Sequence, residues 1–145
     1  MKRISCVICI FALLLSFSSC SVKYNFSQDL NELDQIQIDI VKLETDMGYH
    51  SGSNYNEDNV FVIKSIDNDK KAAFISDFKK IKCYEPNFGS RIDSIIGKAI
   101  RITYKNGDIE LITSYGVAIV KGGQIRTETT TFDSDAFDKL LEEYS

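Results

Sequence analysis

Two periodicities alternate along the chain. In QIQIDIVKL, residues 35–43, Ile36, Ile38 and Ile40 fall on one face and Gln37, Asp39 and Val41 on the other. Successive strand side chains point to opposite sides, so the stretch predicts a half-buried strand. NVFVIKSI, residues 59–66, is rich in β-branched side chains and predicts a second strand. The period then lengthens. In NDKKAAFISDFKKI, residues 68–81, Phe74, Ile75, Phe78 and Ile81 recur at helical spacing, with Lys70, Lys71, Asp77, Lys79 and Lys80 largely off that stripe. This predicts an amphipathic helix, with Asp67 as its N-cap.

Beyond it, a short extended stretch near Cys83 leads to a turn at Pro86, and residues 91–97 fit either a helical turn or a loop. KAIRITYKNGDIELITSYG, residues 98–116, alternates on both sides of Asn106-Gly107. Asn-Gly is the commonest two-residue hairpin turn, since both central positions take positive φ. That register sets Tyr104 opposite Ile109, Ile102 opposite Leu111 and Ile100 opposite Thr113 on one apolar face. Lys105 with Asp108, and Thr103 with Glu110, would form a solvated face around Arg101. A second hairpin turns at Gly122-Gly123 into a Thr-rich strand reaching Phe132. Asp133 or Ser134 then caps a last amphipathic helix, with Phe137, Leu140, Leu141 and Tyr144 on its apolar face. The expected fold is α+β: a mainly antiparallel sheet with two amphipathic helices packed on one face.

The N-terminus follows neither period. Lys2 and Arg3 precede an apolar run over residues 7–17, then Ser18, Ser19 and Cys20. The run is shorter than the ~20 residues a spanning helix needs, and it has the layout of an export signal. Ser16 and Ser18 would suit ordinary signal peptidase. Phe17-Ser18-Ser19-Cys20 resembles the lipobox of bacterial lipoproteins, with Phe17 where Leu is usual. The resemblance covers residues 1–21. It implies cleavage before Cys20, lipidation of Cys20, and attachment to a bacterial membrane, on the periplasmic side of the outer membrane if the host has two. Each buried methylene of the lipid contributes ~0.8 kcal/mol, and two or more chains anchor stably. The expected organisation is a signal peptide over 1–19, a lipidated Cys20 with a flexible tether to residue 31, and a single domain over 32–145. As free chain the polar stretch after Cys20 would span roughly 15–20 Å.

Composition narrows the function. The chain of 145 residues has 17 basic and 21 acidic side chains, and Lys2 and Arg3 leave with the leader. An acidic chain without clustered Lys and Arg argues against a nucleic-acid partner. Cys6 and Cys9 leave as well, and Cys20 would be acylated, so Cys83 alone stays in the domain and no internal disulfide is expected. His50 is the only histidine, so neither a multi-histidine metal site nor a cofactor is expected. Ser76-Asp77-Phe78-Lys79 fits Ser-x-x-Lys, but the companion motifs of penicillin-binding enzymes are missing. Asp67-Asn68-Asp69 and Asp133-Ser134-Asp135 read as helix starts rather than calcium loops.

One stretch has the composition of a recognition surface. GYHSGSNYN, residues 48–56, sits in a long loop between the first two strands. Tyrosine offers contact area at small entropic cost, and Ser and Asn offer adaptable hydrogen bonds. Tyr49, His50, Asn54 and Tyr55 are therefore the candidate contacts to an envelope protein partner. The expected function is a membrane-anchored, non-enzymatic binding module of the cell envelope. A small envelope hydrolase using carboxylates, or a ligand-carrying module, is the alternative.

Overall fold

The computed structural model describes residues 22–44, 51–84 and 95–145. Residues 1–21, with Cys20, residues 45–50, with Tyr49 and His50, and residues 85–94, with Pro86, lie outside them. The strands are β1 (Gln37–Leu43), β2 (Val60–Ser65), β3 (Cys83–Tyr84), β4 (Gly97–Thr103), β5 (Ile109–Ile112), β6 (Val117–Lys121), β7 (Gln124–Glu128) and β8 (Thr131–Phe132). Helix α1 (Lys71–Phe78) follows β2, and α2 (Ser134–Tyr144) closes the chain. Six strands form one antiparallel sheet in the order β2-β1-β4-β5-β6-β7, and β3 pairs with β8 separately. The fold is α+β with a mainly antiparallel sheet, as the periodicities predict.

Two buried clusters lie on opposite sides of this sheet, because neighbouring residues in a strand face opposite ways. The first joins Ile38, Ile40, Ile100, Ile102 and Ile112 to Phe74, Phe78, Phe137 and Leu141. The second joins Val41, Leu43, Leu111, Ala118, Val120 and Ile125 to Ile95 and Val60. The expectation of one solvated sheet face is therefore corrected. Glu110 is 0% exposed and Arg101 only 7%.

The β4–β5 turn explains much of that correction. Tyr104 N donates to Asp108 O (2.9 Å), and Gly107 N donates to Tyr104 O (2.9 Å). Gly107 has φ +85°, whereas Asn106 does not take positive φ. This is a three-residue loop, a type I turn closed by a left-handed glycine, instead of the two-residue turn expected from Asn-Gly. Asn106 Oδ1 accepts from Asp108 N (3.1 Å) and fixes the bend. The register slips by one place: Ile102 faces Glu110, and Arg101 faces Leu111. A one-residue slip turns a whole strand over. Gly122-Gly123 does form the two-residue turn, with φ +58° and +81° and Lys121 opposite Gln124.

The helix starts differ in the same local way. Asp133 caps α2, accepting from Ala136 N (3.1 Å). Asp67 does not cap α1 with its side chain; its backbone carbonyl accepts from Lys70 N and Lys71 N instead. Lys71, expected off the buried stripe, is 5% exposed and its Nζ donates to the carbonyls of Leu33 and Ile36. The Thr-rich strand also breaks after Glu128, and its continuation leaves the large sheet to pair with β3.

Residues 22–31, read from the sequence as a polar tether, are docked on the domain. Val22 N donates to Cys83 O (2.9 Å). Tyr24 sits edge-on to Phe26, Phe78 and Phe132, with ring centroids 5.2–5.9 Å apart. Such edge-to-face pairs add to the stabilisation from buried area.

Candidate functional site

Glu110 is the centre of one polar cluster. The slipped register turns it toward Ile100, Ile102 and Tyr104, where no water reaches it. A carboxylate there needs donors from the protein. Ser27 supplies its backbone N (2.9 Å) and Oγ (2.7 Å), and the hydroxyls of Tyr104 and Tyr24 complete the set. Burial, then the adjacent Glu110 charge, holds both phenols well above the ordinary tyrosine range. Gln28 extends the contact by donating to Asp108 (2.8 Å) and Asn106 (3.2 Å). The cluster clasps the N-terminal segment onto the sheet.

A second cluster lies on the other sheet face. Arg101 points its Nε (3.1 Å) and Nη2 (2.8 Å) at Asp39 Oδ2, from the adjacent strand. Ser65 Oγ (2.7 Å) and Gln37 Nε2 (3.0 Å) also donate to this carboxylate. Nη1 of Arg101 reaches Glu57, which in turn accepts from the Tyr55 hydroxyl (2.5 Å). Burial works against the Arg101 charge, but the hydrogen bond to Asp39 and the charge of Glu57 outweigh it and raise its pKa. Burial and the bond to Glu57 likewise raise Tyr55. This cluster fastens the β1–β2 loop to the sheet.

The same loop reaches the far edge of the sheet. Gly52 N donates to Ile125 O (2.7 Å), Ile125 N to Ser53 O (3.0 Å) and Tyr55 N to Gly123 O (2.8 Å). Of the residues singled out from the sequence, Asn54 is exposed and bridges Gln124, and half-buried Tyr55 packs on the second cluster. The loop thus joins the β2 side of the sheet to the β7 edge, satisfying part of a free edge. Tyr24, Ser27, Asp39, Arg101 and Glu110 were not legible as a constellation. Asp39 between two isoleucines was a signal, but only strand order pairs it with Arg101.

Chemically, both carboxylates are spent on internal bonds. A general acid or base must reach a proton on its substrate. A groove with a volume of about 600 Å³ lies between the N-terminal segment and α1, lined by Tyr24, Phe26, Leu30, Ile75, Lys23 and Lys79. Neither Glu110 nor Asp39 lines it. Among the described residues, no group of His, Cys, Asp and Glu is placed to hold a metal ion, and no helix is long and apolar enough to cross a membrane. Compared with known protein families, curated proteins and solved structures, the chain matches none.

Proposed function

We propose that this chain is an exported lipoprotein, anchored to a bacterial membrane through Cys20, whose domain acts as a non-enzymatic binding module of the cell envelope. The observation that carries the reading is the Glu110 clasp. The segment immediately following the lipobox-like Phe17-Ser18-Ser19-Cys20 is built into the domain, as suits a chain whose pull comes from that end. The internal use of Asp39 and Glu110 favours binding over carboxylate catalysis. Phe74, Phe78, Phe137 and Leu141 share one cluster with Ile38, Ile40, Ile100 and Ile102, which supports the reading that both helices lie on one sheet face. The opposite face then belongs to the β1–β2 loop. That loop, with Tyr49, His50, Asn54 and Tyr55, is the candidate surface for an envelope protein partner.

Cell fractionation tests the anchor. Cys20→Ser should move the exported protein from the membrane to the soluble fraction. A wild-type protein that is soluble and begins at Ser19 overturns the lipoprotein reading. Replacing residues 49–51 with Gly and Ser spares the described loop anchors and should leave anchoring intact while lowering recovery of a crosslinked partner. Full recovery overturns the loop as the contact surface.

A further inference from the structure

We propose that the domain does not hang from its anchor but sits directly against the anionic headgroups of its own membrane, on the end where Val22 meets Cys83. The inference rests on lipidation of Cys20. The sequence places one residue, Ser21, between Cys20 and Val22. Val22 is hydrogen-bonded to Cys83, and the aromatic packing of Tyr24 and the Ser27–Glu110 bonds hold the chain behind it. Two Cα–Cα steps span at most ~7 Å, so the lipid-bearing residue stays within that distance of the folded surface. A free tether running to residue 31 would have allowed far more.

Charge favours the same seat. Lys23, Lys79 and Lys82 are exposed and lie near Val22: the bridge is antiparallel, so Lys23, after Val22, runs beside Lys82, before Cys83, and Lys79 Nζ lies 5.9 Å from the Phe26 ring centroid. Among the described residues the acids close by are Asp133, which caps α2, Asp77, which binds Lys80 and the Tyr144 hydroxyl, and Asp29, which accepts from Asn31 and shares a groove with Lys23 and Lys79. The chain carries a net charge of −4, which becomes −6 once Lys2 and Arg3 have left. An anionic surface therefore repels the domain as a whole and attracts this end, which orients it.

The far side is equally defined. Phe132 N donates to Ser114 O, so β8 lies at the end of the sheet where β5 turns into β6. Lys121 is at the other end of β6, four residues from Val117 and roughly 13 Å away along the strand.

The test uses the mature acylated protein, beginning at Cys20, in vesicles of phosphatidylethanolamine and phosphatidylglycerol containing a headgroup-quencher lipid. A fluorophore is attached through Lys82→Cys in one variant and Lys121→Cys in another; Cys83 is 2% exposed and does not compete for label. Strong quenching at position 82 and little at 121 is expected. Lys23→Glu with Lys79→Glu should reduce the signal at 82. So should a Gly/Ser spacer of ~15 residues between Ser21 and Val22, which allows roughly 20 Å of separation. Equal quenching at both positions, or a signal at 82 that neither change lowers, overturns the seat. Mass analysis of the N-terminal peptide separates the two failures. An acylated Cys20 with equal quenching sinks the seat alone, and an unmodified Cys20 sinks the anchor and the seat together.

Discussion

Buried without access to water, the Glu110 carboxylate depends on Ser27, Tyr24 and Tyr104 for all of its bonds. Removing one partner from a buried polar pair costs about 1–3 kcal/mol, because the group left behind stays desolvated. Glu110→Gln puts an amide N–H₂ where an oxygen now accepts from a hydroxyl or an amide, and Tyr24→Phe deletes one donor. Each should lower stability to urea by about that amount, and the double variant should lose less than the sum, since both act on one network. Full additivity, or an unchanged urea midpoint, would show that the clasp does not form in solution. Lys71 carries a related lesson. Its charge lies in a helix otherwise read as amphipathic, and its burial depends on carbonyls of the 33–36 turn that the helix meets only in the folded chain.

Turn chemistry decides most at the level of the elements. An added Cβ at Gly107 meets nothing within 4 Å, so the cost of replacing it is a backbone cost alone. Holding an L-residue in the left-handed region costs roughly 1–2 kcal/mol, and Gly107→Ala should destabilise the domain by about that much. Asn106→Val loses the Asx bond from Asp108 N, the Nδ2 bond to the Asp108 carboxylate and the acceptor of Gln28, all exposed, and should cost about 0.5–1.5 kcal/mol. Equal and large losses for both, read from thermal unfolding, would return Asn106 to positive φ and restore the two-residue turn. Edge strand β2 shows how far local pattern reaches. Its existence follows from β-branched content, yet Phe61, Val62 and Ile63 are about half exposed, at 49%, 50% and 47%. A bulge opposite Ile40 and Val41 irregularises the pairing there, as at many sheet edges.

The whole molecule is a sheet with polar clusters bonded into both faces, and its tyrosines tie those clusters to pH. The hydrogen bond that Tyr144 donates to Asp77, with burial second, pushes its pKa up to about 12. Tyr24, Tyr104 and Tyr55 are raised as well, by burial first. In the unfolded chain these phenols lose their protons near pH ~10. Above that pH the unfolded state binds fewer protons than the folded one, so stability falls as pH rises. It should be full below about pH 10 and decline through about pH 12. Urea midpoints across this range check it, with Tyr24→Phe and Tyr104→Phe together flattening the slope. A flat midpoint in the wild type would rule out protonated phenols as part of the fold's support.

Period alone determined that β1, β2, β4, β5, β6 and both helices exist, because alternation and helical spacing are local and survive without knowledge of neighbours. The Gly122-Gly123 turn and the Asp133 cap were legible for the same reason: each is satisfied within a few residues. Register did not. A loop of two or three residues at Lys105, Asn106 and Gly107 differs by little locally, yet it decides whether Glu110 faces water or the first cluster. Strand order placed Arg101 beside Asp39, and the long-range bonds of Val22, Tyr24 and Ser27 turned a polar segment into part of the core's cover. Partners such as Ser27 and Glu110 are 83 residues apart in sequence, and only tertiary packing brings such groups together.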